Sequence, residues 1–347
     1  MKTTLLTPET DENAVKTAAE LIRAGEVVGM PTETVYGLAA NALNGEAVKK
    51  IFLAKGRPQD NPLIVHIADF DRIYDLCPAV PPQAKQLAEA FWPGPLTMIF
   101  PKKDIVPYGT TGGLDTVAVR MPVDPVANCL IHLAGVPIAA PSANTSGRPS
   151  PTKAEHVIED MDGKIEMIID GGAVGIGVES TIVDVSGEIP TLLRPGAITI
   201  EMLRETLDQV DIDPVILGPV SGDIKPKAPG MKYRHYAPKA DMTLVEGDMD
   251  KVVAYINEQT KKAEAEGKKV GIICTEESQD MYQGGNLEVI GSREHEETVA
   301  HNLFAVLRDF DARKVDCIFS ESFSKDQLGQ AIMNRLCKAA GYHIVNI

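Results

Sequence analysis

The amino-acid sequence predicts an α/β protein with two domains and a proline- and glycine-rich linker. Helix-spaced apolar residues and short apolar segments alternate along most of the chain, which is typical of an α/β fold. The alternation breaks at about 207–238, where Pro and Gly recur too often for a helix. At 347 residues the chain is long enough for two domains. We expect a mixed-sheet domain at 1–206, a linker at 207–238 and a smaller Rossmann-like domain at 239–347.

The first domain is predicted to open with two helices around a short strand. Residues 10–13 can cap a helix that Gly25 ends, and residues 27–30 form an apolar strand segment. Asn44 is placed to cap a second helix, which Gly56 ends. We therefore expect the polar segment after residue 30 to be a loop between regular elements.

The rest of the first domain is predicted to be rich in strands, because several apolar segments are separated by turns rather than helices. These segments lie at 63–67, 117–119, 136–140, 182–184 and 191–196, and a helix follows from Thr199. Strands joined by turns pair antiparallel, so we expect a mixed sheet.

The second domain shows a regular alternation of strands and helices. Strands are predicted at 242–245, 269–274, 287–290 and 317–319, and helices at 249–266, 295–312 and 326–340. This is the pattern of a small Rossmann-like domain. The glycine fingerprint G-x-G-x-x-G is absent, so dinucleotide binding is not predicted.

Net charge, cysteine spacing and the length of apolar runs argue against several classes of protein. The formal net charge is -15, whereas a protein that clamps nucleic acid usually has a basic surface. Five scattered cysteines without a C-x-x-C pair argue against a disulfide framework and a zinc site. No apolar run approaches the ~20 residues that span a bilayer, and the first residues do not resemble a signal peptide. We expect a cytoplasmic protein with no membrane attachment.

Five polar segments between apolar runs are the candidates for chemistry, because loops on a rigid scaffold often carry function. They lie at 31–37, 55–62, 116–120, 141–144 and 179–181. In the second of them Lys55 and Arg57 flank the glycine that ends a helix. These cations can complement the helix dipole, or they can form a cradle for an anion.

The remaining candidates each have a structural and a functional interpretation. His66 lies in an apolar run, where a histidine is more often a core residue than a ligand. Arg120 ends a buried strand and needs a partner, which is either an internal carboxylate or a ligand anion. Ser142 and Asn144 belong to a hydroxyl- and amide-rich run that can form a local turn or bind ribose and phosphate oxygens. Arg194 can equally belong to a solvated turn.

Together these segments resemble the YrdC-like family of threonylcarbamoyl-AMP synthases, in its longer form with an added C-terminal domain. The family pattern K-x-R…S-x-N matches Lys55-Gly-Arg57 and Ser142-Ala-Asn144. The runs PTETVYGL, NPL…H, ESTIVD and LRPG also match, and so does a H-Y-A-P element in the linker at 235–238. The resemblance is strong over 1–205 and implies a YrdC-like, twisted mixed-sheet catalytic domain.

The resemblance implies synthesis of L-threonylcarbamoyladenylate and pyrophosphate from L-threonine, bicarbonate or CO2, and ATP with Mg2+. A separate transferase would then place the threonylcarbamoyl group on tRNA. The implied threonine site comprises Thr34, His66, Arg120, Ala140 and Ser180. The implied ATP site comprises Lys55, Arg57, Asn61, Thr116, Ser142, Asn144, Ser150, Arg194 and Tyr236, with Lys55 and Arg57 as the catalytic cations and no dedicated metal ligands.

Two other functions stay open at this point. One is an RNA-binding module, against which the acidic net charge argues. The other is a carbamoyltransferase that forms a carbamoyl adenylate, whose acylphosphatase segment and zinc-finger cysteines are absent here. The linker cluster of Tyr233, Arg234, His235 and Tyr236 also has two interpretations, since it can close over the N-terminal pocket as a lid or pack between the domains as a spacer.

Overall fold

The structure is a computed structural model that describes residues 2–8, 11–218, 226–231 and 235–347. The chain divides into two units. The first unit comprises 1–146 and 150–233, and the second comprises 147–149 and 234–347. Most of the segment that the sequence marks as a linker therefore belongs to the first unit.

The first unit is built on a sheet with helices packed against it. Its elements are β1 Thr4–Leu6, α1 Ala14–Arg23, β2 Val28–Met30, β3 Gly37–Asn41, α2 Gly45–Lys55, β4 Ile64–His66, α3 Ile73–Leu76, α4 Pro82–Phe91, β5 Leu96–Pro101, α5 Tyr108–Thr111, β6 Thr116–Arg120, α6 Pro125–Ala134, β7 Ile138–Ala139, α7 Ala154–Met161, β8 Met167–Ile169, β9 Thr181–Asp184, β10 Thr191–Arg194, α8 Ile200–Thr206 and β11 Asp211–Ile212. Short 3-10 helices lie at Phe70–Arg72 and Pro214–Leu217.

In the described residues these strands form one sheet of eleven strands, in the order β1-β8-β2-β3-β7-β4-β6-β5-β9-β10-β11. Strand β6 pairs parallel with β4 and antiparallel with β5, so the sheet is mixed as predicted. The same pairing aligns His66 with Arg120 and Arg120 with Thr97. Partners in register point to the same face of a sheet. The ends of three neighbouring strands therefore bring polar side chains together.

Helices and linker residues cover the two faces of this sheet differently. One face carries Val65 and Val119 and packs in the core that includes α2, α4 and α8. Since side chains alternate along a strand, His66 and Arg120 point to the opposite face. Helices α1 and α6 cover one part of that opposite face. Ala228 and Met231 pack on another part, against a cluster that includes Ile64, Ile99, Ala118, Ile182 and Leu193.

The local signals at the helix ends act largely as the sequence predicts. The Asn44 side chain accepts hydrogen bonds from the backbone N–H groups of Glu46 and Ala47 at the start of α2, and Gly56 ends that helix with φ 61°. Helix α1 has Asn13 as its cap residue, which lies within the predicted range 10–13, but the Asn13 side chain makes no capping hydrogen bond. Thr10, which we expected to contribute to that cap, lies outside the described residues.

The second unit is a smaller α/β layer structure. Its elements are β12 Asp241–Glu246, α9 Met249–Ala265, β13 Val270–Cys274, β14 Asn286–Val289, α10 Glu296–Arg313, β15 Cys317–Glu321, α11 Gln327–Ala339 and β16 Ile344–Asn346, with a 3-10 helix at Gln279–Met281. The strand order is β14-β13-β15-β12-β16, and the strand pairs are parallel. This agrees with the Rossmann-like prediction, to which β16 is an addition. No helix in the described parts of the two units is long and apolar enough to cross a membrane.

Candidate active site

Lys55 is a buried cation at the last residue of α2. Its side chain is 1% exposed, so it is not an ordinary solvated charge at a helix end. The Lys55 ammonium donates hydrogen bonds to the carbonyl oxygens of Ser142 and Asn144, the latter at 2.6 Å. The Ser142 hydroxyl in turn donates to Oδ1 of Asn144 at 2.6 Å. The predicted K-x-R and S-x-N segments are therefore in direct contact through Lys55.

Arg57 and Asn61 shape the loop that leads from α2 into β4. The Arg57 guanidinium donates to the carbonyl oxygen of Pro62 at 3.0 Å. Asn61 is 2% exposed, and its Oδ1 has no hydrogen-bond partner within the described ranges. Thr116 begins β6, which runs parallel to β4 with Ala118 beside Ile64. That register places Thr116 at the end of the sheet where the Asn61 loop enters β4.

Arg120 lies at the other end of β6, about 13 Å along the strand from Thr116. It is 3% exposed, and its Nη1 donates to the Thr34 hydroxyl at 2.8 Å. Its Nη2 also lies 2.6 Å from Oε1 of Glu33. That short contact is an ion pair, and neither Oε1 of Glu33 nor Nη2 of Arg120 has a hydrogen-bond partner in the described residues. Arg120 therefore has an internal carboxylate beside it, and sequence reasoning had not singled out Glu33.

His66 lies beside Arg120 on the neighbouring strand. Burial, and after it the positive charge of Arg120, lowers the pKa of His66 from 6.5 to about 3. The imidazole is thus neutral at physiological pH, and its Nδ1 has no hydrogen-bond partner in the part of the chain described. Ala140 is close by, but its N–H donates to the carbonyl oxygen of Ile64 at 3.0 Å. A ligand contact from the Ala140 backbone would have to come from its carbonyl group.

Ser180 connects the threonine and ATP candidates. Its hydroxyl lies 2.8 Å from the Thr97 hydroxyl, and Thr97 is the register partner of Arg120. The Arg194 guanidinium donates to the Ser180 hydroxyl at 3.1 Å and to the Ser180 carbonyl oxygen at 3.0 Å. Arg194 is 5% exposed, so its interpretation as a residue of a solvated turn is wrong. Thr97 is a second residue that sequence reasoning missed, since it lies inside an apolar strand without a motif.

Ser150 is also buried, and its hydroxyl donates to Oε1 of Glu179 at 2.5 Å. Tyr236 is the one predicted site residue that belongs to the second unit. Its backbone has φ 64°, its ring centroid is 5.1 Å from that of Phe304, and the Arg335 guanidinium lies 5.8 Å from the ring. Tyr233 and Arg234, the other aromatic and basic residues of this cluster, lie outside the described residues.

All predicted site residues except Tyr236 belong to the first unit, in which Lys55 contacts the Ser142 and Asn144 segment and Arg120 lies next to His66 and Thr34. Three cationic side chains of the first unit are at most 5% exposed, namely Lys55, Arg120 and Arg194. Among the described residues no group of three or more His, Cys, Asp or Glu side chains is placed to hold a metal ion. The site therefore offers fixed positive charge, hydroxyl groups and a neutral imidazole.

Comparison with known proteins shows which family the chain is similar to. The family model for Sua5, YciO and YrdC proteins, described as telomere recombination, matches residues 20–196. A second model, the C-terminal domain of threonylcarbamoyl-AMP synthase, matches residues 198–341. Threonylcarbamoyl-AMP synthases of Pyrococcus abyssi and Bacillus subtilis are 51% and 50% identical to this chain; each alignment covers 97% of this chain, and 97% and 95% of the respective relative.

Solved structures show the same relationship. The crystal structure of Pyrococcus abyssi Sua5 in complex with L-threonine aligns with a TM-score of 0.93 at 49% identity, over 100% of both chains. Escherichia coli YciO aligns over 56% of this chain and 95% of its own length, with a TM-score of 0.51 at 22% identity, which supports the fold of the first unit alone. From the two matched domain models and the near full-length relatives, the chain belongs to the threonylcarbamoyl-AMP synthase family in its two-domain form.

Proposed function

We propose that this chain, as a threonylcarbamoyl-AMP synthase, joins L-threonine, bicarbonate or CO2, and ATP into L-threonylcarbamoyladenylate and releases pyrophosphate. The observation that carries the proposal is the set of buried cations in the first unit, Lys55, Arg120 and Arg194. The whole chain has a formal net charge of -15. Local cations that oppose the overall charge suit a site for anionic substrates.

The chemistry needs no nucleophile from the protein. The threonine ammonium group first loses a proton, and the free amine attacks CO2, which bicarbonate supplies by losing hydroxide, to form a carbamate with release of a second proton to solvent. A carbamate oxygen then attacks the α-phosphorus of ATP. The new bond is between that oxygen and phosphorus, and the bond to the leaving pyrophosphate breaks. What the protein supplies is alignment of two anions and neutralisation of the charge that develops on the phosphate oxygens. Lys55 and Arg57 are proposed to neutralise the charge that develops on the phosphate oxygens.

Threonine is proposed to bind where Thr34, His66 and Arg120 meet, with the Arg120 guanidinium on its carboxylate. The neutral His66 imidazole can exchange hydrogen bonds there without adding charge. Ser180 and the Ala140 backbone complete the pocket. Support comes from the relative that was solved with L-threonine, which is similar to this chain over its whole length.

ATP is proposed to lie toward the Thr116 end of β6, on the Lys55, Ser142 and Asn144 cluster. Arg57, Asn61, Ser150, Arg194 and Tyr236 are the further contacts. Mg2+ would arrive with the nucleotide, because this ion is often held by substrate phosphates and few protein groups.

Segment 226–231 is proposed to act as part of a lid over this site. Its residues Ala228 and Met231 pack on the same sheet face that carries Arg120, and the Pro229 carbonyl oxygen lies 3.5 Å from Nη1 of Arg194. A covering segment at this place can exclude water from the labile adenylate.

The product is proposed to pass to a separate transferase that forms N6-threonylcarbamoyladenosine in tRNA. This chain itself is proposed to make no stable complex with nucleic acid, because its acidic charge opposes the phosphate backbone. Tight binding of bare tRNA that weakens steeply with salt would favour the RNA-binding alternative instead.

The decisive experiment measures pyrophosphate release from ATP by the full-length protein. We expect release to require both L-threonine and bicarbonate. L-serine should be a poorer substrate, with a loss in kcat/KM that corresponds to about 1–3 kcal/mol for the missing methyl group. Equal pyrophosphate release with and without an amino acid would disprove the proposed function.

A further inference from the structure

Glu33 is a partly buried acidic residue with inaccessible carboxylate oxygens, and none of the roles above has been given to it. It lies in the polar loop between β2 and β3, and its side chain is 11% exposed. Neither carboxylate oxygen has a hydrogen-bond partner within the described residues. A buried carboxylate without donors is costly. The arrangement thus has acceptor capacity that a ligand can use.

The loop around Glu33 is held in place by its backbone. The Glu33 and Thr34 carbonyl oxygens accept hydrogen bonds from Ile176 and Gly177 at 2.8 and 3.1 Å. The Thr32 hydroxyl donates to the Val35 carbonyl oxygen at 2.6 Å. Glu33 is therefore presented from a fixed loop, as a binding residue should be.

The charges around Glu33 are arranged as a neighbouring pair. Its Oε1 lies 2.6 Å from Nη2 of Arg120, and that nitrogen also has no hydrogen-bond partner in the described residues. The charge of Glu33 also reaches the carboxyl group of Asp124, whose pKa is raised by burial and, to a smaller extent, by Glu33. The Arg120 guanidinium therefore lies in contact with the Glu33 carboxylate, and Asp124 adds a second acidic group that interacts electrostatically with both.

An α-amino acid at neutral pH carries a carboxylate and an ammonium group on the same carbon atom. Such a zwitterion is the charge complement of a guanidinium and a carboxylate that lie side by side. The Arg120–Glu33 pair is of this kind, and each partner has an unused hydrogen-bonding position. A carboxylate ligand without an ammonium group would satisfy only Arg120.

We propose that Glu33 binds the α-ammonium group of the amino-acid substrate while Arg120 binds its carboxylate. This inference rests on the proposed function, because the substrate is taken to be L-threonine. It makes Glu33 a specificity-determining residue that selects α-amino acids over hydroxy acids of the same shape. The competing explanation is that Glu33 only orients Arg120, and the two explanations predict different ligand dependence.

The test compares L-threonine with 2,3-dihydroxybutanoate, in which a hydroxyl group replaces the ammonium group. Both are titrated into the full-length protein by calorimetry. In the wild type, the hydroxy acid should bind roughly 10- to 100-fold more weakly than threonine, the range for losing a hydrogen-bonded charge. In Glu33→Gln, threonine affinity should fall nearly to that of the hydroxy acid, so the ratio approaches one, while ATP affinity is unchanged.

Two matched variants complete the design. Glu33→Asp keeps the charge and should retain part of the discrimination. Glu20→Gln removes an exposed carboxylate of α1 and should leave the ratio as in the wild type. If Glu33 only orients Arg120, Glu33→Gln will weaken both ligands by the same factor and the ratio will stay constant, which overturns the proposal.

The outcomes also separate this inference from the proposed function. A wild-type protein that binds no threonine contradicts the proposed function, and this inference with it. A wild-type protein that binds threonine and the hydroxy acid equally well contradicts only the role of Glu33. That wild-type comparison decides the matter even if Glu33→Gln proves unfolded by its thermal melting curve.

Discussion

The Arg120 side chain lies against an internal carboxylate and also faces the proposed threonine site. Arg120→Met retains apolar bulk but leaves the Glu33 charge buried without a counter-ion. We expect a loss of about 3–5 kcal/mol in the free energy of unfolding, a sharp loss of threonine affinity and little change in ATP affinity. Urea unfolding and calorimetric titration measure the three quantities.

The double variant Arg120→Met/Glu33→Gln separates stability from binding. It removes the stranded charge, so much of the unfolding free energy should return, whereas threonine binding should not. A stable Arg120→Met protein with unchanged threonine affinity would show that Arg120 has no role in ligand binding.

His66 should make stability depend on pH. Its pKa is lowered to about 3 in the folded chain and is about 6.5 when unfolded. Between these values the unfolded state binds a proton that the folded state does not. The contribution of His66 to the free energy of unfolding is therefore fully present above pH 6.5 and is lost as the pH falls. At pH 5 the loss is about 2 kcal/mol.

The variant His66→Gln should remove that part of the pH dependence. The difference in unfolding free energy between pH 7 and pH 5 should become smaller by about 2 kcal/mol. His132→Gln, at a side chain that is 72% exposed, is the matched control and should behave as the wild type. Identical pH dependence in His66→Gln and wild type would mean that the imidazole is not buried as described.

Sequence reasoning could find single residues only where a motif or an unusual position marked them. Arg120 stood out because an arginine at the end of an apolar strand needs a partner, and the structure supplies Glu33 and Thr34. Whether a lysine at a helix end is solvated or buried depends on what packs over it, and for Lys55 this is the distant Ser142 segment. Thr97 was missed because nothing local distinguishes it from the apolar residues around it.

At the level of elements, the linker segment has two parts with different packing. Leu207, Val210 and Ile216 are buried in the main core of the first unit, and β11 pairs with β10. A chain that ends at residue 206 would lose these contacts and is a poor test of the lid. Ends at 218 and 233 separate the core contacts from the covering segment at 226–231.

The lid proposal predicts an order of ATP affinity. The chain 1–218 should fold but bind ATP more weakly than 1–233, which retains Ala228 and Met231. In the full chain, Tyr236→Ala should cause part of the same loss in affinity and turnover, and Tyr236→Phe, which keeps the ring, shows how much the hydroxyl contributes. Circular dichroism checks folding, nucleotide titration measures ATP affinity, and pyrophosphate release measures turnover.

If 1–218, 1–233 and Tyr236→Ala all match the full-length protein in ATP affinity and rate, the linker is a tether and the lid proposal is wrong. A loss in Tyr236→Ala that comes with reduced thermal stability would favour a structural role instead, because Tyr236 packs on Phe304.

The longer helices and central strands were predictable because periodicity and end signals coincide, as in α2 with Asn44 and Gly56. The short strands were harder. Strand β11 has two residues, Asp211 and Ile212, and two residues show no period. Its existence depends on pairing with β10, which is a tertiary contact that no local pattern reveals.

For the whole molecule, the α/β class and the mixed sheet followed from the sequence, and the structure and relatives confirm both. The strand order did not follow, because β7 lies between β3 and β4 while β5 lies between β6 and β9. Such insertions are decided by competition between long-range pairings. The candidate site residues came from the family resemblance and stay a prediction, whereas the distances between them depend on the strand order.

The contacts that form the site span large separations in sequence. Thr34 and Arg120 are 86 residues apart, Lys55 and Asn144 are 89, and Thr97 and Ser180 are 83. Closing loops of this size costs chain entropy before the contacts can offset it. We therefore expect the pocket to form only once the sheet of the first unit is assembled, and we expect no short fragment to reproduce it. Threonine binding, once it occurs, ties together strands from most of the first unit, so substrate occupancy also reports that this sheet is complete.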